Sequence, residues 1–254
     1  MLLIYRLLIN LILIISPIII VLRIIKKKED IYRFKEKFCF FKKKRLKGKL
    51  VWFHGASVGE LLSIIPLIQK LEKNKNIDQI LITTSTLSSS IVFKKYKFKK
   101  TIHQFFPVDS NYLSKKFLSY WKPNLVLFIE SEIWPNMILN LKEKNITHIL
   151  LNARITKKTF RRWMKIPIFS KKLFESFNIS YPQNLKTCKY LKSLGAKKIK
   201  ILGNLKFSEN ENNNNKFLDN NVEKFFKLKN SWCASSTHEN EEAICGDVHL
   251  KLKK

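Results

Sequence analysis

The stretch at residues 49–60 constrains the fold of this chain most, because its pattern changes from strand to helix within one short segment. Residues 50–53 form an apolar, β-prone run, and the small residues 55–59 follow it. From Glu60 the apolar residues recur at helical spacing as far as Leu71. A strand, a tight turn and a helix in this order predict an open α/β sheet with a site at the carboxyl end of the strand.

The same alternation of strand and helix patterns continues along the chain. Further strands are predicted at residues 79–83, 103–108, 125–129, 148–151, 177–181 and 199–202, and helices at 112–120 and 137–144. Alternation of this kind predicts a doubly wound, mostly parallel sheet. Polar clusters follow several of these strands, at the edge where such sheets bind ligands.

Three acidic residues stand out at predicted strand ends: Glu60, Glu130 and Glu132. Glu60 opens a helix, where a carboxylate either faces a substrate or only complements the helix dipole. Glu130 and Glu132 follow a buried strand, where an acid is costly unless it is exposed or paired. Acids at neighbouring strand ends suit glycosyl or acyl chemistry, one as a base and one stabilising positive charge. His54, which ends the first strand, fits either a ligand contact or a packed turn residue.

The N-terminal segment reads as a membrane anchor. Residues 2–25 are almost wholly apolar, and the stretch between Arg6 and Arg23 is about the shortest that spans a bilayer core. Lysines 26–28 follow at once, which by the positive-inside rule places the rest of the chain on the cytoplasmic side. A cleaved signal peptide fits less well, because the charge follows the apolar run and no small-residue cleavage site comes after it. Pro17 can kink the segment, so spanning and shallow insertion are both open.

Residues 26–48 form a basic amphipathic connector. Ile31, Phe34, Phe38 and Phe41 recur there at helical spacing among lysines. The pattern fits a helix lying on an anionic membrane surface and equally a solvated helix with one packed face. We therefore expect a helix here, which either lies on the membrane or packs one face on the protein.

The charge balance limits the partners of the chain. Its 254 residues carry 49 basic against 19 acidic side chains, a formal net charge of +30. The resulting positive field favours anionic lipids, phosphorylated substrates or nucleic acid. Nucleic-acid binding rests on charge alone, because no motif accompanies it. No phosphate-binding glycine loop of the usual ATP or NAD type follows a strand.

The four cysteines indicate neither a disulfide framework nor a zinc site. Cys233, His238, Cys245 and His249 are zinc-ligand types, but their spacing matches none of the common zinc fingers. Scattered cysteines without a paired motif fit a reducing, cytosolic environment.

An Asn-rich segment at residues 209–215 predicts a boundary between domains. We divide the chain into a membrane-anchor helix (1–25), the connector (26–48), a Rossmann-like domain (49–208), a linker (209–220) and the start of a second domain (221–254). In the last part, a helix near 222–228, a strand at 231–234 and a final helix cannot bury their own apolar face. We therefore expect this second domain to be cut short.

Seven short motifs, taken together, carry a family resemblance. They are His-Gly-Ala-Ser-Val-Gly-Glu at 54–60, Thr-Thr-Ser-Thr-Leu-Ser from Thr83, Pro-Val-Asp ending at Asp109, Glu-Ser-Glu-Ile-Trp-Pro-Asn from Glu130, Leu-Asn-Ala-Arg ending at Arg154, Gly-Asn-Leu-Lys-Phe from Gly203 and Ala-Ser-Ser-Thr-His-Glu from Ala234. In this order and spacing they resemble the 3-deoxy-D-manno-oct-2-ulosonic acid (Kdo) transferases of lipopolysaccharide assembly. The resemblance covers essentially the whole chain, including the N-terminal anchor.

The resemblance implies a GT-B glycosyltransferase, in which two Rossmann-like domains face each other across a cleft. The first domain would take the lipid A precursor (lipid IVA) and the second would take CMP-Kdo. Transfer would be inverting and would need no metal or other cofactor. The protein would lie on the cytoplasmic face of the inner membrane in contact with anionic lipids, with no nucleic-acid partner.

The resemblance also implies roles for individual residues. Glu60 matches the general base of the family, and Glu130 and Lys206 match groups that would stabilise the transition state. Arg154 is a candidate for binding an acceptor phosphate. The residues expected to bind the acceptor are His54, Ser57, Gly59, Thr84, Glu132 and Arg154. Those expected on the donor side are Ser236, Thr237, His238 and Glu239.

The resemblance sets a limit as well. Full-length members of the family continue well beyond the last residue here, and that continuation supplies most of the donor site. We therefore expect this chain to carry the base and the acceptor half, and the isolated chain not to turn over CMP-Kdo. The alternative is a membrane-anchored module that binds the lipid A precursor, or anionic lipid generally, without catalysis.

Overall fold

The computed structural model describes residues 1–205, 224, 226, 232, 234, 235, 237 and 239–252. The chain divides into two units, Met1–Asn210 and Glu211–Lys254. The strands of the first unit are β1 (Leu50–His54), β2 (Gln79–Thr84), β3 (Thr101–Phe105), β4 (Leu125–Ile129), β5 (Thr147–Ala153) and β6 (Ile179–Pro182). Its helices are α1 (Leu2–Ile25), α2 (Val58–Glu72), α3 (Leu87–Phe93), α4 (Asn111–Trp121), α5 (Pro135–Glu143), α6 (Lys157–Met164), α7 (Pro167–Phe174) and α8 (Leu185–Ser193), with a short 3-10 helix at Phe34–Phe38. The second unit contains α9 (Glu241–Leu252).

The six strands form one sheet in the order β3-β2-β1-β4-β5-β6. Every adjacent pair is parallel. The chain therefore runs outward from β1 to one edge and then returns to build the other half beside β1. This is the doubly wound, Rossmann-like order, and it confirms the α/β fold predicted from the alternating pattern.

Two hydrophobic cores cover the two faces of the sheet. Trp52 and Phe53 are neighbours in β1, yet Trp52 belongs to one core and Phe53 to the other. Alternate residues of a strand point to opposite faces, so a central strand needs apolar side chains at consecutive positions. Each such buried side chain stabilises the fold by about 1.5–3 kcal/mol. The continuous apolar runs of β1 and β4 are thus the signature of strands covered on both sides.

The reversal of strand order falls between β1 and β4, which pair from Val51 opposite Leu125 to His54 opposite Phe128. In open α/β sheets, ligands bind outside the carboxyl ends of the strands at this reversal. His54 and Ile129 are the last residues of the two strands. The loops that follow them therefore meet at the place where the fold forms a crevice.

Three helices begin at the carboxyl edge of the sheet with the same kind of N-cap. Ser57, Thr86 and Ser110 each accept a hydrogen bond from the backbone N–H three residues later, at the starts of α2, α3 and α4. A cap of this type stabilises a helix by about 1 kcal/mol. The positive ends of these helix dipoles therefore point toward the edge where the predicted acids lie.

Asp109, which follows β3, joins three helices. Its side chain is buried and accepts hydrogen bonds from the Tyr5 hydroxyl (2.8 Å), the Ser114 hydroxyl (3.2 Å) and the backbone N–H groups of Asn136 (2.9 Å) and Met137 (2.8 Å). Burial raises the pKa of Asp109 to about 6, although these hydrogen bonds oppose the rise. The carboxylate thus connects α1, α4 and the first turn of α5.

Helix α1 lies along the first unit. Leu13 packs against the sheet core, and Ser16 and Ile20 are buried. Near the N-terminus Arg6 donates to Asn111 and Asn136, each at 3.0 Å. The helix is therefore docked on the domain, and its remaining face is exposed.

The prediction of a helix at residues 26–48 is wrong. The segment contains only the 3-10 helix Phe34–Phe38, which ends at Cys39 in the left-handed conformation. Two buried acids set its path: Glu29 pairs with Lys37, and Glu36 pairs with Arg33 and accepts the Phe105 N–H. These long-range pairings outweigh the local helical periodicity. The aromatic residues Phe38 and Phe41 pack on the core. The segment is thus not helical, but these two side chains face the protein, as one of the two interpretations expected.

The predicted strand at 199–202 is also wrong, because only an isolated bridge joins Ile199 to Ser180 beside β6. Gly203, with a φ of 87°, then turns the chain. The linker at 209–220 and most of the helix near 222–228 and the strand at 231–234 lie outside the described residues. The domain bounds drawn from the sequence stay predictions.

Substitution of Asp109 tests its role in joining the helices. Asp109→Ala leaves four donors without their acceptor, two of them backbone N–H groups at the start of α5. We expect the free energy of unfolding to fall by about 3–5 kcal/mol, measured by urea denaturation in detergent. Ser114→Ala removes only one of the donors and should cost about 1 kcal/mol. Equal losses for the two variants would contradict this role.

Candidate functional site

The turn after β1 places Glu60 by a reciprocal cap. The Glu60 backbone N–H donates to Ser57 Oγ at 3.3 Å, while its carboxylate accepts from the Ala56 N–H at 2.7 Å and the Ser57 hydroxyl at 3.1 Å. This is a capping box shifted by one residue, in which Glu60 serves the helix start. A Cβ atom at Gly55 would lie 3.1 Å from the Cβ of Glu60, so a larger residue there would require Glu60 to shift by a few tenths of an ångström. Glu60 therefore has a structural role as part of the N-terminal cap of α2.

The electrostatic setting of Glu60 goes beyond a helix cap. Burial raises the pKa of its carboxyl, and the charges of Glu132 and Glu130 raise it further, while the hydrogen bonds from Ala56 and Ser57 oppose the rise. A helix-capping acid alone would be expected to have a lowered pKa. A raised pKa makes Glu60 a better proton acceptor once it is ionised, as a general base requires.

His54 is fully buried and packs flat against Phe106, with the ring centroids 3.8 Å apart. Its Nδ1 lies 3.0 Å from the Thr83 hydroxyl and 3.1 Å from the Thr83 carbonyl oxygen. Its Nε2 faces Glu132 Oε2 at 3.0 Å. The ring is therefore held by protein groups on both nitrogens and exposes no atom to the crevice.

Glu132 links His54 to the loop after β4. The same oxygen that faces His54 accepts a hydrogen bond from Trp134 Nε1 at 2.8 Å. Burial alone would raise the pKa of Glu132, but the hydrogen bond and charge of His54, with the Trp134 bond, hold it below its ordinary value. Glu132 thus stays ionised and supplies a fixed negative charge beside Glu60.

Glu130 lies at the end of β4 in the left-handed conformation, with a φ of 54°. Its backbone still pairs with β5: its N–H donates to the Leu151 carbonyl at 3.0 Å, and its carbonyl accepts from the Arg154 N–H at 3.2 Å. A non-glycine residue in this conformation costs about 1–3 kcal/mol. The pairing keeps Glu130 and Arg154 adjacent at the carboxyl edge.

Glu60, Glu130 and Glu132 form what we term the carboxylate cluster, because their charges interact at the crevice between β1 and β4. A cleft of about 380 Å³ opens beside it. The β4–β5 cleft is lined by Glu130, Ser131, Ile133, Leu150, Arg154, Ile155, Thr159, Arg162, Trp163, Ile166 and Phe174. Its walls are largely apolar and include the guanidinium groups of Arg154 and Arg162, which suits a ligand that carries both phosphate and hydrocarbon.

The predicted site residues fall into distinct groups. The structure brings Glu60, Ser57 and His54 together with Glu130, Glu132 and Arg154 at one edge of the sheet. Gly59 is exposed on the first turn of α2 with open space around it. Thr84 is fully buried, and its hydroxyl contacts His103 Nε2 at 2.8 Å, so it faces β3 and not the carboxylate cluster.

The remaining predicted residues belong to the end of the first unit or to the second. Lys206, Ser236 and His238 lie outside the described residues. Leu205, the residue before Lys206, donates its N–H to Asn152 Oδ1 at 3.2 Å, at the carboxyl end of β5. In the second unit, the Thr237 hydroxyl donates to Glu242 at 2.9 Å and Glu239 is exposed. Among the described residues, no group of three His, Cys, Asp or Glu side chains could hold a metal ion.

Sequence reasoning missed the helical side of the cleft. Thr159, Arg162, Trp163 and Ile166 line it from α6 and the turn that follows. Their spacing is that of one helix face, so the same periodicity test that found α2 would have found them. It would not have shown that this face meets Arg154.

The strand order and the acids at the crevice between β1 and β4 define a Rossmann-like α/β protein with its candidate site at the carboxyl edge. Residues 32–209 match the family model described as 3-Deoxy-D-manno-octulosonic-acid transferase (kdotransferase). The match covers more than half of the chain, so this chain belongs to that family. The resemblance seen in the motifs is thereby confirmed.

Individual relatives agree with this assignment. A 3-deoxy-D-manno-octulosonic acid transferase of Rickettsia bellii is 34% identical over 243 residues, covering 93% of this chain and 56% of the relative. A probable mitochondrial one of Arabidopsis thaliana is 33% identical over 88% of this chain and 52% of its own length. One of Haemophilus influenzae is 28% identical over 80% of this chain and 48% of its own length. The chain thus spans about half the length of the curated relatives it matches.

A solved structure supports the fold alone. The S. aureus MnaA-UDP co-structure superimposes with a TM-score of 0.50 at 14% sequence identity, covering 70% of this chain and 50% of that one. The superposition shows that the two proteins share a fold at low sequence identity. It agrees with the GT-B-type fold expected from the motifs.

The charge of Glu132 can be tested directly. Glu132→Gln removes one of the two carboxylate charges that raise the pKa of Glu60, so we expect that pKa to fall. The ionised, proton-accepting form of Glu60 would then persist to lower pH. Carboxyl ¹³C NMR titration of the glutamate-labelled chain measures this shift.

Glu143→Gln is the matched control, because Glu143 is an exposed acid on α5 that pairs only with Lys115, at 3.4 Å. It should leave the titration of Glu60 unchanged. A Glu60 titration midpoint that does not fall in Glu132→Gln would remove Glu132 from this role.

Proposed function

We propose that this chain supplies the acceptor-binding, base-carrying half of a Kdo transferase, which moves Kdo from CMP-Kdo to the lipid A precursor with inversion. The observation that carries the proposal is the carboxylate cluster. In a member of this family, the glutamate at the start of α2 has a raised pKa, and Glu130, whose charge contributes to that rise, lines a cleft that suits a phosphorylated lipid. The chain spans about half the length of its relatives, so the donor substrate and the complete reaction are proposed as well.

In the proposed reaction, the Glu60 carboxylate accepts the proton of a primary hydroxyl on the acceptor sugar. The freed oxygen attacks the anomeric carbon of Kdo while the bond from that carbon to the CMP phosphate breaks. The negative cluster around Glu60 favours protonation of the base and positive charge on the sugar ring as the bond breaks. Glu130 is the proposed stabiliser of that ring charge, and Lys206 of the leaving phosphate.

The acceptor is proposed to occupy the β4–β5 cleft. Arg154 and Arg162 would bind a phosphate, since guanidinium groups pair with phosphate oxygens through two hydrogen bonds at once. Ile155, Trp163 and Phe174 form part of the apolar wall, which would contact the acyl end of the lipid. We propose the cytoplasmic face of the inner membrane as the location, supported by the exposed apolar face of α1 and the lysines at 26–28.

Acceptor binding is tested with vesicles that contain lipid IVA or only phosphatidylglycerol. We expect selective binding to the lipid IVA vesicles, and Arg154→Gln with Arg162→Gln to weaken it at least tenfold by loss of charge-assisted bonds. Arg161→Gln is the matched control, because Arg161 is an exposed neighbour on α6 that does not line the cleft. Equal, salt-sensitive binding to both vesicles would indicate electrostatics alone.

The base role is tested by joining residues 1–207 to the remaining half of the Rickettsia bellii relative. Glu60→Gln should reduce Kdo transfer from CMP-Kdo by about 10²- to 10⁴-fold while leaving lipid IVA binding nearly unchanged. Glu143→Gln serves again as the control. Near-normal turnover in Glu60→Gln would exclude Glu60 as the base, and binding without any transfer would favour the non-catalytic module.

A further inference from the structure

We infer that α1 lies flat in one leaflet of an anionic bilayer and does not cross it. The inference deepens the membrane location in the proposed function and rests on it. It depends on how the helix is attached to the first unit, since length and composition alone allow a span: the helix has 24 residues and a mean hydropathy of 2.8.

The less exposed positions of α1 lie on one side of the helix. The positions that are not fully exposed are Leu2, Tyr5, Arg6, Ile9, Leu13, Ser16, Ile20, Arg23 and Ile24. They recur every three or four residues, so they form one straight stripe on the helix. Reduced exposure along one stripe, together with the Leu13 contact to the core, fits a helix axis that runs along the surface of the domain.

Polar contacts hold the start of the helix to the domain and its end to the connector. Near the start, Tyr5 donates to Asp109 at 2.8 Å, and Arg6 donates to Asn136 at 3.0 Å. Near the end, Arg23 pairs with the buried Glu29 at 3.0 Å. Tyr5 and Arg23 are about 27 Å apart along the helix axis, which is close to the thickness of a bilayer core. A spanning helix would have to break the contacts of Tyr5 and Arg6 with the domain, whereas the Arg23 pair lies only six residues apart in the chain.

The opposite side of α1 is apolar and exposed. Ile4, Leu11, Ile18 and Ile25 lie one heptad apart on it, with exposed fractions of 52%, 54%, 64% and 71%. A helix about 36 Å long with this face uncovered presents several hundred Å² of hydrocarbon, more than a soluble surface normally leaves exposed.

The chemistry around this face selects a lipid surface. Lysines 26, 27 and 28 are exposed directly after the helix, where they can contact anionic headgroups while the aliphatic face enters the acyl boundary. A helix held this way is inserted about 5–10 Å deep.

The attachment also orients the candidate site. Asn136, which receives the Arg6 hydrogen bond, belongs to the first turn of α5, and the loop before α5 carries Glu130 and Glu132. The N-terminal half of α1 is therefore fastened to the segment that carries two of the three acids. This contact holds the carboxylate cluster in a set position relative to the bilayer surface.

Depth measurements with single probes test the inference on the full chain. In a background with Cys39→Ala, Cys188→Ser, Cys233→Ser and Cys245→Ser, a cysteine replaces Ile4, Leu11, Ile18 or Ile25 and carries a fluorophore. The chain is bound to phosphatidylethanolamine–phosphatidylglycerol vesicles, and depth is measured by quenching with brominated lipids. Lys95→Cys, at an exposed position before β3, is the aqueous control.

A flat helix places the four probes at one shallow depth. A spanning helix places Leu11 and Ile18 deepest and Ile4 and Ile25 near opposite interfaces, which would overturn the inference. Four unquenched probes would also overturn it and would indicate that a protein, such as a second copy, covers this face.

A second variant tests the attachment itself. Tyr5→Phe with Arg6→Gln removes the polar contacts at the N-terminal end, so the probe at Ile4 should move deeper while the probe at Ile25 keeps its depth. No movement at Ile4 would contradict the attachment. These vesicles contain neither acceptor nor donor, so a spanning result leaves the transferase proposal standing, and a failed transfer assay leaves the depth result standing.

Discussion

The structure depends most on one buried carboxylate, Asp109. It gathers donors from three helices that are far apart in sequence, and one of these helices is the apolar α1. An ionised acid removed from water is stable only when several donors replace its hydration. Because two of the donors are the N–H groups at the start of α5, the same charge fixes the end of the loop that carries Glu130 and Glu132. The position of the candidate site and the position of α1 therefore depend on the same residue.

The carboxylate cluster shows how one fold gives different properties to similar side chains. The ionised carboxylate of Glu132 is stabilised by His54 and Trp134, so its pKa is lowered. Glu60 has hydrogen bonds too, but burial and two neighbouring negative charges outweigh them. Two acids with opposite shifts in one crevice are what acid–base chemistry needs, since one remains a fixed charge while the other exchanges a proton. The helix cap and the proposed base are thus the same residue, and neither interpretation excludes the other.

Much of the fold could be predicted from sequence where local pattern and burial agree. The apolar runs of β1 and β4 are central strands, and both show uninterrupted hydrophobicity because both faces of the sheet are covered. The partner of each strand could not be predicted, because parallel pairing is decided by contacts between distant segments. The prediction of a helix in the connector at 26–48 failed for a related reason. The ion pairs of Glu29 and Glu36 with basic residues determine the path of this segment, and its helical periodicity does not.

The candidate site divides in the same way. Glu60, Glu130 and Glu132 could be predicted, since each follows a strand whose end is recognisable. The direction of Thr84 could not, because adjacent residues in a strand face opposite sides and a shift of one position reverses the outcome. The side of α1 that meets the domain was not predicted either, although the polar residues Arg6, Ser16 and Arg23 all lie on it.

The attachment of α1 has a further consequence for how the protein would meet a membrane-bound molecule. With the helix in the bilayer plane, as proposed, its contacts at Tyr5 and Arg6 would restrict how far the domain rolls about the helix axis or tilts from the surface. Encounter with a lipid then becomes a lateral search in two dimensions between partners that are already oriented. Much of the rotational entropy that binding normally costs is lost once, when the protein reaches the membrane, and is not lost again at each encounter.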